Sequence, residues 1–279
     1  MSINLDSKNI SSNFGSWINT LNELKNEFDQ NPPFPNLLIK DFFNHELVEA
    51  LYDAFPDKTN QNWCIYHNPL EKKYSMNKFE DLPIFKKLID LLNSSEFISY
   101  MKTIAGIENL ESDPYFHGTG LHFHPKGGKL DMHLDYSVHP ISGKERRVNL
   151  IVYLNKNWNP EYGGELQLWD SEFTKPIKKI SPEFNSAILF RTSDISYHGL
   201  PFPIQCPEDS GRKSIAIYYL SDLRPNITHR SKAEFRKLPD QESNEKLDKL
   251  YQIRKTRIIT KQDLDEIWPN WENEGNGHW

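Results

Sequence analysis

Residues 129–135 read Lys-Leu-Asp-Met-His-Leu-Asp, and residues 148–154 read Val-Asn-Leu-Ile-Val-Tyr-Leu. In an extended chain, successive side chains point to opposite faces, so residues i and i+2 share a face. The first run then places Asp131, His133 and Asp135 on one face, with Leu134 packing outward. In the second, Val148, Leu150, Val152 and Leu154 face an apolar layer, and Asn149, Ile151 and Tyr153 face the other way. Six more short extended runs surround these two, at residues 119–124, 165–169, 176–180, 186–191, 196–199 and 213–220. The separators carry turn chemistry: Gly127-Gly128, residues 155–159, Gly163-Gly164 and residues 207–211. Eight strands arranged as two facing sheets make a jelly roll, or double-stranded β-helix.

The flanks read differently. Trp17, Leu21, Leu24 and Phe28 recur at spacings of three and four, which predicts one amphipathic helix. Pro32, Pro33 and Pro35 break it, and Leu37-Leu38-Ile39 reads as the one extended stretch of the N-terminal region. Asn44 is placed to cap a helix carrying Leu47, Val48, Leu51 and Phe55. Phe85, Leu88 and Leu92 predict another helix, and residues 97–104 a short one. After the strand-rich zone, residues 243–254 and 261–267 read as helices, before an aromatic, Gly/Asn-rich tail at 268–279. The expected architecture is α+β: a mainly helical region at 1–112, a jelly-roll core at 113–222, and a C-terminal helical extension and tail at 223–279.

Composition removes several function classes. The 279 residues are 37% apolar and 13% aromatic, ample for a core, and the net charge of −6 opposes nucleic acid as a partner. Two cysteines, Cys64 and Cys206, are too few for a disulfide framework and read as free thiols of a reducing compartment. The polar start MSINLDSKNISSNF lacks a signal-peptide core, and no run reaches the length of a membrane span. The expectation is a soluble, cytoplasmic protein.

His133, Asp135 and the distant His198 supply two imidazoles and a carboxylate, which suits ferrous iron when other coordination positions stay open. Singly, each histidine reads as a hydrogen-bonded core or surface residue; their combination with Arg212 favours a metal. Arg212 opens the last strand and shares a face with Ser214, Ala216 and Tyr218. A guanidinium binds a carboxylate in bidentate fashion, which lysine cannot do; a structural ion pair is the plainer alternative. Tyr153 offers a hydroxyl beside Arg212, or a structural one.

From about 115 to 222 the chain resembles the iron(II)/2-oxoglutarate dioxygenases, and within them the prolyl-4-hydroxylase-like group. The resemblance is carried by His133-Leu134-Asp135, Val152 to Trp158, Gly163 to Leu168, Ala187 to Phe190, His198-Gly199 and Arg212-Lys213-Ser214. It implies that His133, Asp135 and His198 ligate Fe(II), and that Arg212 and Tyr153 bind the distal carboxylate of 2-oxoglutarate, with Ser214 and Asn149 on the same faces. It also implies O2 as co-substrate, oxidative decarboxylation to succinate and CO2, and hydroxylation of a substrate. An intact Asp135 favours hydroxylation over halogenation, for which related enzymes carry a small residue there.

Some relatives have a tyrosine about ten residues before the His-x-Asp motif, where this chain has His122-Phe123-His124. His122 or His124 stands in for that contact, or nothing does. The same pair raises a rival, cupin-like metal site without its usual acidic ligand. Lys144, Arg146 and Arg147 read as a solvated turn, and Asp131 as an assistant to the site or an exposed residue. The substrate is read as a small or carrier-bound metabolite. The alternatives are a protein side chain, as in prolyl hydroxylation, or a non-catalytic cupin-like ligand binder.

Overall fold

The computed structural model describes residue 5, residues 9–242 and residues 244–273. Parts of the polar start and of the tail, including residues 274–279, therefore lie outside the described residues. Among the described residues no helix is long and apolar enough to cross a membrane.

All eight expected core strands form. They are β5 (Gly120–Pro125), β6 (Lys129–Leu134), β7 (Glu145–Tyr153), β8 (Leu166–Trp169), β9 (Pro176–Ile180), β10 (Ala187–Arg191), β11 (His198–Leu200) and β12 (Gly211–Ser221). β1 (Asn36–Ile39) adds to one edge, and the short β4 (Glu111–Ser112) and β13 (Glu234–Phe235) pair with β12 and β6. A hairpin of β2 (Cys64–Asn68) and β3 (Glu71–Met76) was not foreseen. Its sequence, with Lys72 and Lys73 on an element only half buried, lacks the apolar alternation that marks a strand.

That hairpin connects the architecture. The strand order is β1-β10-β7-β12-β5-β3-β6-β11-β8-β9. Tyr74 to Met76 of β3 pair with Phe123 to Leu121 of β5, while Glu71 and Lys72 pair with Leu130 and Lys129 of β6. β3 thus joins a large sheet to a small one, and the continuous antiparallel surface curls round a cavity.

Among the described residues six helices cover the curl: α1 (Leu21–Gln30), α2 (His45–Asp53), α3 (Pro83–Leu92), α4 (Ser95–Ala105), α5 (Glu245–Thr256) and α6 (Lys261–Ile267). Asn44 caps α2 as expected, accepting from the Leu47 amide at 2.8 Å. The single helix expected from Trp17 to Phe28 is instead a 3-10 turn at Ser16–Asn19 followed by α1. Trp17 is held outside α1, its indole N–H donating to the Phe42 carbonyl at 2.8 Å and its ring stacked on Phe42.

The outer face of the large sheet, including Val148, Leu150, Val152, Ile215 and Ile217, packs with Phe28, Leu47, Phe85 and Phe97 of the N-terminal helices. Each fully buried side chain of this size contributes about 1.5–3 kcal/mol. A second apolar cluster seats Leu247, Leu250 and Tyr251 of α5 on Leu70 and Phe235. Beside it, fully buried Glu71 accepts from Arg254 Nε at 2.8 Å and pairs with Lys73 at 3.4 Å. Replacing Glu71 leaves a buried guanidinium without its counter-charge. Glu71→Gln is expected to destabilise the protein by about 3 kcal/mol, read as a lowered denaturation midpoint; an unchanged midpoint would show that Arg254 needs no anionic partner.

Candidate metal and co-substrate site

β11 pairs antiparallel with β6 so that His198 sits directly opposite His133. The approach is close: a Cβ on Gly199 would lie 2.8 Å from the Leu130 carbonyl oxygen, so the position after His198 accepts no side chain without displacement. Asp135 follows the end of β6 and turns toward both rings, its oxygens 3.7 Å from His133 Nε2 and 3.6 Å from His198 Nε2. One ligand atom from each residue lies within 4.8 Å of the others, and all three side chains are buried.

The tautomers follow from the backbone. His133 Nδ1 lies 2.9 Å from the Asp131 carbonyl and His198 Nδ1 lies 2.9 Å from the Ser196 carbonyl. A carbonyl only accepts, so each Nδ1 carries the hydrogen and each Nε2 presents a lone pair to the common point. Phe235 stacks on His133 at 5.0 Å and Phe190 packs on His198 at 4.8 Å, fixing the ring planes. Burial, opposed by the Asp135 charge, pushes the His198 imidazole down to about 4. It is therefore neutral at physiological pH, as a ligand must be.

The carboxylate is held from behind. Asn149 Nδ2 donates to Asp135 Oδ2 at 2.7 Å, and Arg146 Nε donates to Asn149 Oδ1 at 3.0 Å. Arg146 also pairs with Asp135 at 3.5 Å, its guanidinium 3.2 Å over the Tyr218 ring and 4.6 Å from that of Tyr136. Burial opposes ionisation of Asp135, but the Arg146 guanidinium beside it holds its carboxyl well below the usual range. Arg146 and Arg147 are buried in β7, which corrects their reading as a solvated turn. Strand parity from Asn149 would turn Arg147 inward. An irregularity in the pairing of β7 with β12 sets Tyr219 opposite Val148 but Leu220 opposite Arg146, so the extra residue turns Arg146 to the cavity. Asp131 is buried too, bound by Lys129 at 2.7 Å and by the Tyr251 hydroxyl at 2.8 Å.

The large sheet faces the triad across the cavity. His124 lies opposite Arg212, and Ser214 lies between His122 of β5 and Tyr153 of β7. Arg212 is buried, its Nε donating to the Gly164 carbonyl at 2.9 Å and Nη1 reaching Ser214 Oγ at 3.5 Å. Gly164 adopts φ +76°, a left-handed conformation natural to glycine, beside the Arg212 stem. The Tyr153 ring lies 4.8 Å from the guanidinium, and among the described residues its buried hydroxyl has no hydrogen-bond partner. Both ring nitrogens of buried His124 are likewise without partners. Burial, with Arg212 and Lys73 adding to it, holds the His124 imidazole well below its ordinary value. The loop at 201–211 does not displace Arg212, because Ile204 exchanges backbone hydrogen bonds with Gly127 and Gly128.

Such a site fits iron and an organic acid. The donor set is two imidazoles and one carboxylate, and a cation with orphaned polar atoms beside it suits a carboxylate. Among the described residues, His133, Asp135 and His198 form the only group that could hold a metal; His122 and His124 gather no acidic partner. His133, Asp135, His198, Arg212, Ser214, Asn149 and His124 all line one cavity of about 600 Å³. Tyr153 lies behind it, in an apolar cluster with Leu166 and Phe190.

A curled double-stranded β-helix with a His-x-Asp…His triad defines the class. Residues 119–220, somewhat over a third of the chain, match the family model described as the 2OG-Fe(II) oxygenase superfamily. The prolyl 3-hydroxylase OGFOD1 of Mus musculus is 31% identical over 87 residues, covering 30% of this chain and 15% of that protein's length. A Pseudomonas putida prolyl-4-hydroxylase superposes with a TM-score of 0.51 at 15% identity, over 73% of this chain and 100% of that one. The non-haem α-ketoglutarate-dependent epimerase SnoN from nogalamycin biosynthesis gives 0.52 at 11% identity, over 81% of this chain and 92% of that one. At these identities the structures share the fold, which is the double-stranded β-helix expected from the sequence.

Since Arg146 and Asn149 orient Asp135, Arg146→Gln is expected to weaken Fe(II) affinity about 10–100-fold in a protein that stays folded but melts lower, because the buried Asp135 carboxylate loses its counter-charge. Anaerobic metal titration measures it; undiminished affinity would reduce Arg146 to a packing role.

Proposed function

We propose that this chain is a non-haem Fe(II)/2-oxoglutarate-dependent dioxygenase that hydroxylates a small or carrier-bound metabolite, releasing succinate and CO2. The observation that carries the reading is the pair of facing surfaces. On one, His133, Asp135 and His198 converge with their nitrogen lone pairs free; on the other, a buried arginine awaits an anion in the same cavity. Bound iron, 2-oxoglutarate and O2 would supply the oxidation of an unactivated C–H bond, chemistry that no side chain offers.

The protein's own residues do the rest. His133 Nε2, His198 Nε2 and an Asp135 oxygen would hold the metal. Asn149 and Arg146 keep the Asp135 carboxylate ionised and correctly turned. Arg212 takes the distal carboxylate of 2-oxoglutarate, with Ser214 and the Tyr153 hydroxyl completing its hydrogen bonds. His124, directly across the strand pair from Arg212, is the further contact for that co-substrate. Its neutral ring can donate from one nitrogen without adding charge to the site.

The volume of the cavity, about 600 Å³, lies in the usual range of small-molecule sites and supports a small substrate. Its walls include the β2–β3 hairpin on one side and residues 231–235 on another. A second reading, hydroxylation of a protein side chain, draws on the prolyl 3-hydroxylase relative, although that match covers 15% of the relative's length.

The test is an anaerobic titration of metal-free protein with Fe(II), then 2-oxoglutarate, followed by visible absorption. A charge-transfer band is expected in wild type and should be lost in Asp135→Ala, which removes a ligand but no core packing. In Arg212→Lys the band should demand at least about tenfold more 2-oxoglutarate, since one bidentate contact is lost, with iron affinity unchanged. A folded wild-type protein that binds Fe(II) without the band, or an Arg212→Lys variant with unaltered 2-oxoglutarate dependence, would overturn the assignment.

A further inference from the structure

The cavity is cationic in an acidic protein. Against a net charge of −6 for the whole chain, its wall carries Lys73, Lys78, Arg146, Arg212, Lys232 and Arg254, and a single carboxylate, Asp135. Most of these cations have a stated task. Arg146 is answered by Asp135 at 3.5 Å, and Arg254 and Lys73 share the one charge of Glu71. Arg212 is the partner of the co-substrate, and a doubly charged metal offsets the two carboxylates of 2-oxoglutarate. Lys78 and Lys232 remain. Among the described residues neither has an ion pair, and they come from separate segments, one after β3 and one before β13, that wall the same cavity.

Neutral groups nearby feel the positive wall. His122 is pushed down to about 3 by burial, with Lys73 and Arg212 adding to it. His117 is lowered by burial, then by His139, Lys232 and Arg146. Low-dielectric walls of one sign concentrate the field of a cleft and draw in ligands of the opposite sign. The wall also carries aromatic rings, those of Trp63, Tyr66, Tyr115 and Tyr136.

Building on the dioxygenase reading, we propose that the substrate is a small organic anion, bearing a carboxylate or phosphate neutralised by Lys78 and Lys232. Its apolar body lies along the aromatic wall, and the C–H bond to be oxidised points at the His133–Asp135–His198 centre. The acidic group thus acts as a handle away from the chemistry, setting which carbon meets the site.

The experiment uses the full chain, loaded anaerobically with Fe(II) and saturating 2-oxoglutarate so that Arg212 is occupied. Equilibrium dialysis compares phenyl phosphate and benzoate with their neutral counterparts, benzyl alcohol and benzamide. Wild type should retain the anions at least about tenfold better than the neutral probes, and less well as salt rises. K78Q/K232Q should lose about tenfold in anion affinity with the neutral probes unmoved, and K78R/K232R should recover it. Equal retention of charged and neutral probes, no retention of the anions, or a double variant identical to wild type would each overturn the proposal. The charge-transfer band is read on the same samples. An intact band without anion selectivity rejects the substrate class and leaves the dioxygenase reading standing; a missing band in wild type rejects the latter, and dialysis of the unloaded protein then tests the cationic cavity alone.

Discussion

Two backbone carbonyls, those of Asp131 and Ser196, determine what the site can do. Each accepts the Nδ1 hydrogen of the histidine two residues further on, at 2.9 Å in both cases. Without that bond an imidazole is free to choose its tautomer and its plane, and a lone pair directed at a shared point is no longer guaranteed. Each constraint is local to its strand, but it is useful only because β6 and β11 pair in the register that opposes His133 to His198. The close contact at Gly199 keeps that pairing tight.

The two sheets divide the work. The small sheet carries the histidines, and the large one carries Arg212, Ser214, His124 and Asn149 on its inner face. Asn149 and Arg146 cross from one set to the other, so the orientation of Asp135 depends on the large sheet although the residue belongs to the small one. Positioning is therefore a property of the closed curl and not of either sheet. The β2–β3 hairpin, paired to both sheets, is what closes it on this side.

The C-terminal extension takes part in the same construction. Phe235 of β13 pairs opposite His133 and stacks on its ring, Tyr251 binds Asp131, and Arg254 ties α5 to β3 through Glu71. Helix α5 thereby braces the strand that carries the first histidine. Its Arg254 also belongs to the cationic wall of the cavity. The concentration of positive charge there, in a chain of net charge −6, is an arrangement of residues that lie far apart in sequence.

Much of this was legible beforehand, for reasons of periodicity. The alternation of β5 to β12 exposed all eight core strands, and the same parity correctly grouped Arg212, Ser214, Ala216 and Tyr218 on the cavity wall. His133, Asp135 and His198 were recognisable because their residue types and spacing suit a metal whatever surrounds them. Arg146 was not legible: an extra residue in β7 reverses the parity on which a strand reading depends, and nothing in Glu-Arg-Arg announces it. The β2–β3 hairpin was hidden because its strands are held by neighbours' backbones and not by apolar alternation. The pairing of Glu71 with Arg254, and of Tyr251 with Asp131, joins residues more than a hundred positions apart. Local period and side-chain chemistry are enough to pick out the strands, the candidate ligand group and the buried arginine. Which charges meet across the cavity depends on register, a bulge and closure, and no local pattern encodes these.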